Sequence, residues 1–564
     1  MAFAEAVFLC AYFPLAAIII FTKIQLMARI FFALLILLSS VSCQTEAKKV
    51  PVDLLVVAKQ IYLKAGETAQ AMVIKEGKVW ATGSQKELES AYKPQATKIF
   101  EGMYIYPGFN DAHAHFLGYA RSLGRVNLVA TQSWQECLER LQNFAEKNPN
   151  DFLLGRGWDQ NDWESKEFPD RRALDSLYPH TPVLLKRIDG HAAIANQAAL
   201  DYAGINASTK LAGGTIDLAK GILIDNAVDL IEEPENDPER DKELILKAQE
   251  FCLHAGLTSI TDAGLKKKDI QVLQDLSESG ELKLRLNVMV SDDSASLAYY
   301  FARGPMEEPR FRLKTVKFYL DGALGSRGAL LLNSYADDPG NYGLQLKPTN
   351  YFLEMADSLS HQKWQMAIHA IGDSANRLAT QIFGVGYLHN RNHRWRIEHA
   401  QVVHPQDLED MKALGVIPSI QPTHATSDMY WAEERLGPDA VQYAYRAQSF
   451  LDQELVLPLG TDFPVEDINP LNTFRAARFR VDANAYPEGG FRAEEALSFD
   501  EALKGMTWSG AYASFEEEVK GLLERGYYAD FIVMDRDLKK LKADEFSNLE
   551  VKATAINGEF LYSL

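Results

Sequence analysis

The amino-acid sequence predicts an α/β protein in which a barrel is inserted into a small β-sandwich built from both ends of the chain. Three observations support this fold class. The chain has 564 residues, of which 47% are hydrophobic, so it can bury a large core. Both ends contain short runs of alternating apolar residues, and the long middle alternates strand-like with helix-like segments.

The domain boundaries are placed where the spacing of apolar residues changes along the chain. Residues 50–105 and 516–564 have the short, glycine-broken runs of small strands and are predicted to form the sandwich. Residues 106–470 are predicted to form the barrel, and residues 471–515 its final helices. The stretch from about 119 to 247 is longer than an ordinary loop between a strand and a helix. We therefore expect an insertion there that helps to shape the pocket.

Charge and cysteine spacing exclude several function classes. The formal net charge is −19, which argues against a nucleic-acid partner, because such partners require clustered lysines and arginines. The four cysteines show neither a disulfide framework nor a zinc-knuckle spacing. We expect a small-molecule substrate, and we expect membrane contact only through the N-terminus. The protein could also form a homodimer.

Residues 1–43 are predicted to be a leader. From Met27, a charged start is followed by the apolar run 30–38 and by small residues that end at Cys43. This resembles a bacterial lipoprotein signal peptide, in which the cysteine is lipidated and anchors the protein at the periplasmic or outer-membrane side of the cell envelope. We expect Met27 to be the true start. An ordinary anchor stays open, because residues 6–21 form a second, though short, apolar stretch.

The strongest chemical signal is the pair His113 and His115 at the end of the first sandwich segment. Side chains alternate along a strand, so both imidazoles point the same way and can reach one metal ion. In a chain with twelve histidines, a pair held by structural hydrogen bonds is the alternative.

A lysine follows on another strand-like run. Alternation places Lys317 on one face with Tyr319 and Asp321, whereas Lys314 faces the other way. Burial lowers the pKa of a lysine, and the neutral amine can react with carbon dioxide to give a carbamate that bridges two metal ions. A lysine paired with Asp321 or with another interior acid stays open.

Three more polar residues end strand-like runs, which is where barrel active sites collect. They are His369, His399 and Asp462. Each alone would be a core or rim histidine, or a cap or turn aspartate. The order His-x-His, Lys, His, His, Asp is the specific feature.

This order resembles the amidohydrolase superfamily, and within it the N-substituted formamide deformylase-like branch. The resemblance runs from about residue 50 to the C-terminus and includes Gly157-Trp158-Asp159-Gln160, Asp189-Gly190-His191, Asp321-Gly322-Ala323-Leu324-Gly325-Ser326-Arg327 and Gly460-Thr461-Asp462-Phe463-Pro464. It implies a distorted (β/α)8 TIM barrel with a β-sandwich, and a site for one or two divalent metal ions. Zinc is the first expectation for histidine and carboxylate ligands, with manganese and iron left open.

The resemblance implies six metal ligands: His113, His115, Lys317, His369, His399 and Asp462. Lys317, carboxylated, would bridge two ions. Asp462 would contact the activated water, accept its proton and return it to the departing amine. His191 would donate a hydrogen bond near the substrate oxygen, or else hold a turn beside Gly190.

The expected activity is hydrolysis of a non-peptide amide C–N bond by metal-activated water. A cyclic amidase or deaminase of the same superfamily, and a catalytically inactive envelope binding protein, are the alternatives. Six residues are candidates for the pocket lining, although core or surface roles stay open for them: Trp158, Trp163, Tyr178, His424, Tyr430 and Trp431.

Overall fold

The structure is a computed structural model. It describes residues 22–31, 49–147, 151–211, 213–234 and 237–564. Cys43 and most of the predicted leader lie outside the described residues. Residues 22–31 form a helix, and no helix in the described ranges is both long and apolar enough to cross a membrane. Residues 52–88 and 94–564 form one compact unit; the described residues before them and Glu89–Lys93 belong to a second, small one.

A sheet of seven parallel strands forms the barrel wall. In chain order these strands are β1 (Phe109–Ala114), β2 (Leu257–Leu265), β3 (Arg285–Ser291), β4 (Phe311–Tyr319), β5 (Gln365–Ala370), β6 (Arg396–His399) and β7 (Ile417–Ser419). A short antiparallel strand, Met306–Glu307, pairs with β4. Every residue of β1, β5, β6 and β7 is buried, as expected for strands that are covered on both faces.

The segment around Leu459 closes the barrel between β7 and β1. Ala112 N donates to Leu459 O over 3.2 Å, and Gly460 N donates to Ile420 O over 3.0 Å. A Cβ at Gly460 would lie 2.6 Å from His113 N, so this close approach requires a glycine. The segment is not a regular strand, yet it occupies the eighth position. The predicted α/β barrel is confirmed, with a distortion at its closure.

Helices surround this wall, and a continuous apolar cluster fills the space between strands and helices. The helices of the barrel region are Phe116–Ser122, Pro238–His254, Lys267–Glu278, Ser294–Phe301, Thr349–Gln362, Asp373–His389, Leu408–Ala413, Pro422–Asp428, Ala432–Ala440, Gln448–Asp452, Pro470–Phe479, Phe499–Gly505 and Trp508–Ala513.

Both ends of the chain meet in a seven-stranded sheet. In sheet order its strands are Glu559–Ser563, Ala553–Ile556, Phe531–Met534, Tyr92–Pro107, Val50–Lys64, Glu67–Lys75 and Lys78–Gly83. Neighbouring residues of one strand face different cores: Ile61 packs within the sheet domain, whereas Tyr62 joins the barrel cluster. The sheet domain is thus a single sheet with buried apolar residues on both of its faces.

A six-stranded sheet lies between β1 and β2 in the chain. In sheet order its strands are Gly214–Asp217, Ile222–Asp225, Ala192–Ala195, Val183–Arg187, Leu153–Trp158 and Val126–Asn127, and its helices are Trp134–Lys147, Arg172–Leu177 and Gln197–Tyr202. Trp158 and Trp163 are buried in its core, where their indole Nε1 atoms donate to Leu185 O and Thr131 O. These two side chains therefore take the core role that the sequence left open for them.

Candidate metal centre

The six residues predicted as metal ligands all lie at the carboxyl end of the barrel strands. His113 is near the end of β1, and His115 follows that strand directly. Lys317 and His369 lie near the ends of β4 and β5, and His399 is the last residue of β6. Parallel strands bring their carboxyl ends to one edge of a sheet, so tertiary structure unites side chains that are hundreds of positions apart in sequence.

Asp462 is the point at which these side chains meet. The Nε2 atoms of His113 and His115 lie 3.6 and 3.3 Å from its Oδ1 atom. Nδ1 of His399 lies 4.0 Å from Oδ2. His113, His399 and Asp462 each offer one ligand atom such that all three atoms lie within 4.8 Å of one another. This spacing suits three ligands of one ion.

His369 extends the cluster along the barrel wall. Its ring centroid lies 4.6 Å from that of His399, and its Nε2 atom lies 3.7 Å from Asp321 Oδ1. Asp321 accepts hydrogen bonds from the backbone N–H groups of Leu330, Ile371 and Gly372, which fixes its carboxylate.

Lys317 points into the barrel and is fully buried. Its Nζ atom has no hydrogen-bond partner and lies 4.8 Å from the ring centroid of Tyr319. Burial lowers the pKa of Lys317 to about 8, against the opposing charges of Glu398 and Asp462. Lys314, on the other face of β4, instead pairs with Glu307 at 2.6 Å.

Four buried polar atoms in this cluster have no hydrogen-bond partner among the described residues: His113 Nε2, Lys317 Nζ, His369 Nε2 and Asp462 Oδ1. An unsatisfied buried polar atom costs about 1–3 kcal/mol, so four of them in one place are expected only where a further group completes the site. Imidazole nitrogens around a carboxylate are the donor set that divalent transition metals prefer. The residues present therefore fit a divalent cation.

Glu398 orients His113. Its Oε2 atom lies 2.6 Å from His113 Nδ1, which leaves Nε2 of that ring facing the cluster. Burial by itself would raise the pKa of Glu398, but the charge of Arg396, 2.7 Å away, and the contact with His113 hold it well below its usual range. Similarly, Nδ1 of His115 lies 3.2 Å from Ala263 O.

The backbone at the cluster is strained. His399 and Asp462 have φ angles of 73° and 63°, in the left-handed region that residues other than glycine rarely adopt. Such a conformation costs about 1–3 kcal/mol and persists where surrounding contacts hold it. Here Nδ1 of His399 lies 2.7 Å from Gln421 Oε1, and Asp462 N donates to His113 O.

His424 belongs to the centre and is not on the surface. Its Nε2 atom lies 3.1 Å from Asp462 Oδ2, and its Nδ1 atom lies 3.1 Å from Glu466 Oε1. Burial lowers the pKa of His424, but these two carboxylates outweigh it and raise the pKa well above the usual value. Burial by itself would raise the pKa of Asp462, but the nearby imidazoles of His115 and His424 outweigh burial and hold this pKa well below its usual range. Tyr430, another candidate for the lining, is exposed, and its hydroxyl donates to Asp482 Oδ2.

His191 is contributed by the inserted sheet. Its ring centroid lies 6.2 Å from that of His369, and its Nδ1 atom lies 3.0 Å from Asp225 Oδ1. Burial lowers its pKa, but the bond to Asp225 and the charge of Asp189 raise it overall. The insertion therefore supplies one side chain beside the predicted ligands.

Sequence reasoning missed the supporting residues Glu398, Arg396 and Gln421. The sequence did contain a signal for Glu398. Side chains alternate along a strand, so Glu398 and Arg396 share the inner face of β6, while the apolar Ile397 between them faces the other way. Gln421 lies beyond β7, and nothing in its local sequence indicates that it contacts His399.

Comparisons with known proteins agree with this geometry. The sequence pattern of the amidohydrolase family matches residues 100–562. The chain is 30% identical to Protein LONG AFTER FAR-RED 3 of Arabidopsis thaliana, over 93% of this chain and 94% of that protein. It is 25% identical to the N-substituted formamide deformylase of Arthrobacter pascens, over 88% and 95%. An uncharacterized metal-dependent hydrolase from Pyrococcus horikoshii superposes with a TM-score of 0.72 at 28% identity, over 87% of this chain and 99% of that one.

Proposed function

This chain belongs to the amidohydrolase family and is a metal-dependent hydrolase, and we propose that it cleaves a non-peptide amide C–N bond in a small molecule. One observation carries the proposal. Three buried atoms without hydrogen-bond partners lie at the carboxyl end of the barrel: His113 Nε2, Lys317 Nζ and Asp462 Oδ1. The relative named N-substituted formamide deformylase supports a formamide or another simple N-substituted amide as substrate.

A divalent cation held by His113, His115, His369, His399 and Asp462 would lower the pKa of water toward about 7 and polarise the substrate carbonyl. We propose zinc as this cation, because imidazole and carboxylate ligands suit it.

Asp462 is the proposed proton carrier. Its carboxylate is ionised, which leaves Oδ1 able to accept a proton. Oδ1 would take the proton of the attacking water and return it to the amine as the C–N bond breaks. The products are a carboxylic acid and an amine, which balances the addition of one water. His424 donates to Oδ2 and thereby holds the other oxygen toward the centre. His191 is proposed as a hydrogen-bond donor to the substrate oxygen.

An activity screen tests the substrate class. Zinc-loaded protein is incubated with N-formyl, N-acyl and cyclic amides and with amidines, and released amine, acid and ammonia are measured. We expect amine and acid from the open-chain amides, with formamides fastest. Turnover of cyclic amides alone, or release of ammonia from amidines, would replace the proposal with a cyclic amidase or a deaminase. No turnover of any compound would favour a binding protein.

Lys317 is proposed to be carboxylated and to bridge two ions. Its buried, unpartnered Nζ atom and its pKa of about 8 both favour the neutral amine that reacts with carbon dioxide. Protein equilibrated with ¹³C-bicarbonate should show a carbamate ¹³C NMR signal that Lys317→Met lacks. A spectrum without that signal in the wild-type protein, or with it in both proteins, would contradict this role.

We also propose that the enzyme is anchored to the bacterial cell envelope through lipidated Cys43, which lies outside the described residues. The support is the sequence from Met27 to Cys43, which resembles a lipoprotein signal. Cys43→Ser should move the protein from the membrane to the soluble fraction of an expressing bacterium. Unchanged membrane association would instead indicate the apolar stretch 6–21.

A further inference from the structure

A second cluster of metal-ligating side chains lies on the outside of the barrel. Asp357 and His361 belong to helix Thr349–Gln362, and His389 is the last residue of helix Asp373–His389. Their side chains are 59%, 63% and 36% exposed. No residue of this cluster takes part in the centre described above.

The two helices bring these three side chains together. Asp357 and His361 are four residues apart and therefore share one face of their helix. Asp357 Oδ1 lies 3.6 Å from His361 Nε2 and 3.4 Å from His389 Nε2. The two imidazole centroids are 4.6 Å apart, with the rings tilted by 60°.

These distances match the spacing of ligands around one ion. A tetrahedral zinc ion with bonds of roughly 2.0–2.1 Å separates its ligand atoms by about 3.4 Å. Both carboxylate–imidazole distances are close to that value, and the three candidate ligand atoms all lie within 4.8 Å of one another.

The cluster lies at the opposite end of the barrel from the predicted active site. Helix Thr349–Gln362 ends just before β5 begins at Gln365, and the helix after β5 returns to the same end with His389. The side chain of His369, in contrast, lies near the carboxyl end of β5. Residues at the amino end of barrel strands contribute to stability, whereas those at the carboxyl end contribute to chemistry.

We propose that Asp357, His361 and His389 bind a divalent transition-metal ion, such as Zn²⁺, that links the two helices flanking β5. Two imidazoles and one carboxylate select zinc, copper, nickel or cobalt over magnesium and calcium, which prefer oxygen ligands. Water completes the coordination at this exposed position. The ion is structural: it ties the helix before β5 to the helix after it.

Metal content measures this site independently of the barrel centre. Wild-type protein, the double variant His361→Ala/His389→Ala, and His180→Ala, which removes an exposed histidine elsewhere, are equilibrated with excess Zn²⁺. After dialysis at a fixed free zinc concentration, zinc per chain is measured by mass spectrometry. We expect the double variant to hold one zinc fewer than the other two proteins, with unchanged hydrolase activity.

A second variant and a second readout complete the test. Asp357→Asn keeps the size of the side chain but removes its charge, and it should lower the zinc affinity at least tenfold. Added Zn²⁺ should raise the Tm of the wild-type and His180→Ala proteins more than that of the double variant. Equal zinc content in all proteins would overturn the proposal and leave Asp357 as an ordinary ion-pair partner of two histidines. Because only the difference between proteins counts, this result is independent of whether the barrel centre binds metal.

Discussion

Two clusters of histidine and aspartate lie at opposite ends of β5, and they differ mainly in burial. At the carboxyl end, His113, His399 and Asp462 are buried, whereas at the amino end Asp357 and His361 are open to water. Water can satisfy the hydrogen-bonding groups of the exposed cluster. The metal proposed there is therefore supported only by the distances between its three side chains. In the buried cluster water cannot satisfy the unpartnered atoms, so they would destabilise the fold without a ligand.

Removal of the central carboxylate should have the largest effect. Asp462→Asn loses the proton acceptor and should lower kcat by about 10²–10⁴-fold, while most of the metal stays bound through the histidines. Steady-state kinetics with metal analysis check this. Asp439→Asn, an exposed change, is the matched control and should behave as wild type. Normal turnover of Asp462→Asn would remove this residue as proton carrier.

Chelation should separate the two clusters in time. A short exposure of zinc-loaded protein to a mild chelator should remove the ion at Asp357, His361 and His389 first, because those ligands are open to solvent. Activity should remain. Longer chelation should remove the buried metal and abolish activity, and added zinc should restore it. A loss of activity in step with the first zinc released would reverse this order.

The buried centre should also keep its metal in mild acid. Burial holds the pKa values of His369 and His399 well below the usual range, so these imidazoles stay neutral, and able to bind metal, as the pH falls. Dialysis at about pH 5.5, roughly one unit below the ordinary histidine pKa, should therefore leave metal in the buried centre. The zinc content of the His361→Ala/His389→Ala protein, in which only the buried centre remains, measures this after dialysis. Loss of that metal would contradict the prediction.

The smallest expected effect concerns the backbone that supports the buried centre. Gly460→Ala places a Cβ 2.6 Å from His113 N and should destabilise the protein by about 1–3 kcal/mol, with reduced activity. Gly384→Ala is the matched control, because its Cβ would meet nothing within 4 Å. In a helix that change should be neutral or stabilising by up to about 1 kcal/mol. Denaturant unfolding of both variants checks this, and equal stability would contradict the close approach.

Local pattern was sufficient for much of the fold. The alternation around Lys317 predicts that Lys317 and Lys314 face opposite sides of the strand. The burial of Lys317 and the ion pair of Lys314 with Glu307 confirm this. The predicted barrel is confirmed, because alternation of apolar residues reports which face of a strand is buried. The sandwich predicted from both ends of the chain is instead a single seven-stranded sheet, because alternation does not report how many sheets the strands form.

Other features could not be predicted locally. The sequence could not choose between a core role and a pocket role for Trp158 and Trp163, because an aromatic residue in an inserted segment suits both equally well. The exposed metal cluster was missed, because Asp357 and His389 lie on different helices, and only packing brings them within 3.4 Å.

The sequence by itself determined which residues can bind metal and which faces of the strands are buried, since both depend on side-chain type and a period of two. Tertiary structure alone decided how those residues meet. The closure of the barrel at Gly460 brings Asp462 against His113, and the return of one helix beside another brings His389 to Asp357. Distances between positions hundreds of residues apart depend on strand register and helix packing, which no local pattern encodes.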